Sequence, residues 1–73
     1  MYMTEMKQGQ TAMIAGFEGL DDEFCRRLYD MGLAIGTEAT LLAKPSFGRL
    51  FYVSADGVEL CLRRREAGKI KVE

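Results

Sequence analysis

The 73-residue chain predicts a mainly β fold, a small barrel of about five short strands with one short α-helix inserted. Three observations carry this. Short runs alternate apolar and polar residues with a period of two, and they are bounded by Gly or Asp. Asp56-Gly57 is a strong hairpin signal, because both turn positions must tolerate positive φ. The stretch with helical spacing lies between Asp21 and Gly32.

Gly9 precedes the first strand, predicted over 10–15, where Ala12 and Ile14 share one face; Gly16 and Gly19 end it. Asp21 reads as a helix N-cap, with Leu20 and Cys25 placed as a hydrophobic staple. Asp22 and Glu23 put negative charge at the positive end of the helix dipole. Phe24, Leu28 and Met31 recur at i, i+4 and i+7 as one buried stripe. Gly32 sits where a helix stop requires left-handed backbone, and Leu33 is placed to fold back on Leu28.

Strands are predicted over 37–43 and 49–55, joined by the loop Lys44-Pro45-Ser46-Phe47-Gly48. Asp56-Gly57 then leads into Val58–Arg63, with Val58, Leu60 and Leu62 inward and Glu59, Cys61 and Arg63 outward. Phe51, Val53 and Ala55 face inward on the partner strand, which leaves Leu50 and Tyr52 on the other face. A turn over 64–68 precedes a closing strand at 69–72. So many short strands in so short a chain favour a strongly bent barrel of the SH3-like type, which reduces exposed edges. The edges that remain in so small a barrel permit dimers or strand exchange.

Composition narrows the function. One domain over 1–73 is expected, at a length that leaves little beyond a core. The net charge of −1 does not favour nucleic acid or anionic membrane. No apolar run approaches the roughly 18 residues a membrane span needs, and the N-terminus lacks signal-peptide features, so a cytosolic chain is expected. The two cysteines read as reduced thiols. There is no His, the commonest general base and metal ligand, and no phosphate-cradling glycine pattern. Catalysis, a bound cofactor and a resident metal are therefore not expected.

Two surface features remain. Arg63, Arg64, Arg65, Lys69 and Lys71 form the main basic concentration, without interleaved aromatics for base stacking. Leu42, Leu50 and Tyr52, with Pro45 and Phe47 in the connecting loop, form an apolar-aromatic area suited to a partner unless the N-terminal Tyr2-Met3, the helix or the loop folds over it.

Three blocks resemble the FeoA family. Met3 and Met6 form an apolar pair before Gly9; Arg27-Leu28, Met31-Gly32-Leu33 and Gly36-Thr37 match its helix stop and strand entry. Leu62-Arg63 with Glu66-Ala67, Ile70 and Val72 matches its closing segment. Two positions depart from that pattern: Ile35 stands where the family often has Pro, and Ser46 is inserted in the loop, with Leu50 in place of a second Pro. The resemblance implies an SH3-like barrel and a non-enzymatic accessory role in bacterial ferrous iron uptake. It also implies a partner, the cytosolic GTP-binding part of the FeoB permease. The membrane would be reached only through that permease. The expected contact residues are Leu28, Met31, Gly32 and Leu33 at the helix stop, and Pro45, Phe47, Leu50 and Tyr52 around the loop. A peptide-binding adaptor of SH3 type and a nucleic-acid-binding barrel using the basic run stand as alternatives.

Overall fold

The computed structural model describes residues 1–19 and 22–73. The N-cap at Asp21 and the staple residue Leu20 lie outside the described residues. Five antiparallel strands, β1 (Thr11–Phe17), β2 (Glu38–Ala43), β3 (Leu50–Ala55), β4 (Val58–Arg63) and β5 (Ile70–Val72), form one sheet in the order β4-β3-β2-β1-β5. The helix α1 (Asp22–Asp30) is inserted between β1 and β2. Single helical turns at Met3–Glu5 and Arg64–Ala67 and a non-helical turn at Pro45–Gly48 connect these elements.

β1 serves two neighbours. Its first half pairs with β2, Thr11 opposite Thr40 and Ala12 opposite Ala39. Its second half pairs with β5, Ile14 opposite Val72 and Phe17 opposite Ile70. The register shifts between Ile14 and Gly16, a bulge that bends the strand from one partner to the other. The strand therefore does not end at Gly16, as expected above, but runs through it to Phe17. A glycine inside a strand commonly marks such a bulge. A second shift, between Leu41 and Ala43, leaves Leu42 as the extra residue facing β3.

The period of two selects the core. Ala12 and Ile14 on β1, Ala39 and Leu41 on β2, and Phe51, Val53 and Ala55 on β3 are all buried. Leu62, Ile70 and Val72 join them, with Leu28 and Leu33 from the helix stop, and no polar residue is buried among the described residues. Met3 and Met6 are also fully buried, so the N-terminal turn is part of the core. Val58 corrects the β4 pattern: beside the hairpin turn the core no longer reaches it, and it is exposed while Leu60 is half-buried. Met31 corrects the helix stripe, because α1 ends at Asp30 and Met31 stands exposed in the turn beyond.

Asp56 and Gly57 both hold positive φ, 51° and 78°, the two-residue turn whose twist matches a hairpin. The predicted loop 44–48 is instead a tight turn, with Pro45 at its first position.

Candidate functional site

Two exposed features sit on this frame. The first is the helix stop. The N–H of Leu33 donates to the Leu28 carbonyl at 2.8 Å, and the N–H of Gly32 donates to Tyr29 at 3.0 Å. This pair of bonds closes a helix whose next residue is left-handed, and Gly32 has φ +96°. Leu28 and Leu33 are both fully buried, so they hold the stop in place and present nothing to a partner. Met31 is the side chain the stop displays, 38% exposed. Gly32 itself rests against the end of β3: a Cβ there would lie 3.5 Å from the Ala55 carbonyl oxygen and 3.8 Å from Asp56 Cβ.

The second feature is the turn before β3 and the outer face of that strand. Ser46 and Phe47 both adopt φ +57°, left-handed backbone that costs a non-glycine residue about 1–2 kcal/mol. No compensating burial follows, since Phe47 is fully exposed and Pro45 is exposed beside it. Arg64 holds the turn from outside, its guanidinium donating to the Gly48 carbonyl at 3.3 Å and its backbone N–H to Arg49 at 2.8 Å. Lys44 places its ammonium 5.5 Å from the centre of the Phe51 ring. Tyr52 continues the face, opposite Cys61 on β4, and its hydroxyl donates to Glu59 Oε1 at 2.7 Å. That bond to a carboxylate, reinforced by its negative charge, raises the Tyr52 pKa above the ordinary tyrosine value. Leu42 and Leu50 are half-buried, so the apolar area is narrower than the sequence suggests and centres on Phe47 and Tyr52.

The two features do not merge. Gly32 lies at the Ala55 end of β3, and the 45–48 turn leads into Leu50 at the other. Six extended residues separate them by about 17 Å. Nor does Tyr2 cover the Tyr52 face: its hydroxyl bonds Glu18, which also pairs with Lys71 Nζ at 3.7 Å.

A further apolar groove went unread in the sequence. Phe17, Cys25, Tyr29 and Ile35 line it, with Asp22, Arg26 and Asp30 at its rim. Tyr29 and Ile35 are 65% and 64% exposed. Cys25 and Tyr29 stand one helical turn apart, which is the signal that locates it. The basic run is largely engaged, with Arg64 on Gly48, Lys69 Nζ 3.3 Å from the Gly19 carbonyl, and Lys71 on Glu18. Cys25, half-buried, and Cys61, exposed, are not joined in a disulfide. Among the described residues no three Cys, Asp or Glu side chains gather to hold a metal ion, and no helix is long and apolar enough to cross a membrane.

Comparison with known proteins places this geometry. A solution structure of the FeoA protein from Chlorobium tepidum superposes with a TM-score of 0.93 at 32% identity, covering 100% of this chain and 69% of that one. A FeoA-like protein from Clostridium acetobutylicum gives 0.84 at 27% identity, over 100% and 84% of the two chains. Stenotrophomonas maltophilia FeoA, complexed with zinc, gives 0.85 at 28% identity, over 100% and 89%. It is described as a prokaryotic SH3 domain protein proposed as a ferrous iron transport activating factor. A manganese-dependent transcriptional repressor shares the fold alone, at 21% identity. A search of curated protein sequences returned no match. The FeoA domain model matches residues 1–73, and this chain belongs to the FeoA domain family.

Proposed function

We propose that this chain is a non-enzymatic, cytoplasmic accessory protein of ferrous iron uptake that binds the cytosolic GTP-binding part of a FeoB-type permease. The observation that carries the reading is the FeoA match over the whole chain. The local support is a fully exposed Phe47 held on left-handed backbone, a costly arrangement that core packing does not explain. Phe47, Pro45, Leu50 and Tyr52 form the primary contact, and Met31 offers a second point at the far end of β3. Leu28, Gly32 and Leu33 act by positioning Met31.

An amide NMR titration with the soluble GTP-binding domain of the permease, in GDP and in a non-hydrolysable GTP analogue, tests this. Shifts confined to 45–52 and 31–33 are expected, and a dependence on nucleotide would make the protein a regulator of that cycle. Shifts confined to Phe17, Tyr29 and Ile35 would move the contact to the helix groove. Absence of shifts at saturating partner would overturn the reading.

A further inference from the structure

The sheet order gives two strands an outer edge, β5 and β4. The β5 edge is covered: the Val72 N–H donates to the Met1 carbonyl at 2.8 Å, and Tyr2 bridges to Lys71. The β4 edge has no such cover among the described residues. Its register shows which groups it offers. A two-residue turn makes Ala55 and Val58 a hydrogen-bonded pair, and such pairs alternate along the ladder. The Arg64 N–H donating to Arg49 at the far end is in phase with that alternation. Val58, Leu60 and Leu62 therefore turn their backbone groups toward β3, and Glu59, Cys61 and Arg63 turn theirs outward. The Arg63 N–H is held by Glu66 Oε1 at 2.8 Å, which leaves its carbonyl as the outward group.

We propose that β4 is the interface of a two-fold homodimer, two β4 strands pairing antiparallel about Cys61 into one continuous sheet. The occupant follows from charge. Pairing about Cys61 sets Glu59 opposite Arg63 of a second copy, twice by symmetry, and Leu60 opposite Leu62 on the core face. Shifting the register to centre on Leu60 sets Glu59 opposite Cys61 and Arg63 opposite the turn residue Gly57, losing both ion pairs. Centring on Leu62 runs Glu59 past the strand into the turn at Arg64–Ala67. The backbone contributes two bonds exchanged between the Cys61 pair and one from each Glu59 N–H to the facing Arg63 carbonyl. Charged side chains commonly blunt edge strands; here Glu59 and Arg63 instead attract in the register centred on Cys61.

Sedimentation equilibrium of the full chain tests the proposal. A reversible dimer is expected. Arg63→Glu sets like charges opposite each other and raises the dimer Kd by about tenfold or more, as does Glu59→Arg. The double variant Glu59→Arg/Arg63→Glu restores the complementary pair and returns Kd to within about threefold of the original. Thermal melts of each variant establish that the fold is kept. In a Cys25→Ser background, a short bismaleimide is expected to join Cys61 to Cys61 in the original chain and the double variant, and much less in the single reversals. A chain monomeric to about 1 mM, single reversals that leave Kd unchanged, a double variant no tighter than the singles, or a dimer without the Cys61 cross-link would each overturn it.

Discussion

Gly32 and the Ser46-Phe47 pair both carry the chain through left-handed backbone, and they do so for opposite reasons. At Gly32 the conformation costs little, because glycine has no Cβ to clash, and it returns Leu33 to the core beside Leu28. At Ser46 and Phe47 two side-chain-bearing residues accept the strain, and the larger of them ends in solvent. A strained turn that seals a core is accounted for by folding. A strained turn that displays a phenylalanine needs a use outside the fold, and this contrast makes the 45–48 turn the stronger candidate for a partner contact.

Substitutions at four positions break or sharpen that contrast. Leu28→Ala empties the core under the helix stop and is expected to cost about 2–5 kcal/mol in urea unfolding. A loss below about 1 kcal/mol would mean that the stop is not anchored by that side chain. Gly32→Ala is expected to cost about 1–2 kcal/mol. A Cβ there meets only ordinary contacts, so the cost is conformational, and Gly32→Asn should cost less. Ser46→Gly is expected to stabilise by roughly 0.5–1 kcal/mol, relief of the left-handed penalty being offset in part by glycine's unfolded-state freedom. Destabilisation instead would mean that the serine side chain supports its own turn. Phe47→Ser is expected to change stability by less than about 0.5 kcal/mol while weakening binding to the permease domain by isothermal titration. Unchanged affinity there would remove the turn from the site.

The parts legible in the sequence were those governed by neighbouring residues. Gly32 followed by an apolar residue spelled the helix stop, and Asp56-Gly57 spelled the hairpin. The alternation through Phe51, Val53 and Ala55 spelled the buried face of β3. What misled was local pattern applied beyond its reach. Val58 has the right parity for the core but lies past its end, and Met31 has the right helical spacing but follows the last helical residue. Gly16 looked like a strand end, because a bulge is specified by the two partners on either side of it. The helix groove was missed for the same reason. Phe17, Tyr29 and Ile35 come from three separate segments, and only packing makes them adjacent.

The sequence by itself determined the mainly β class, the single long helix and its stop, the hairpin between β3 and β4, and most of the buried faces. These follow from steric and hydrophobic preferences acting within a few residues. The tertiary structure decided the rest. It placed Met3 and Met6 in the core, bent β1 between two partners, and held the helix stop and the Phe47 turn at opposite ends of β3. It also covered one sheet edge and, among the described residues, left the other open. Those outcomes depend on which distant segments pair and in what register, and pairing energy is shared between strands whose separation along the chain no local pattern records.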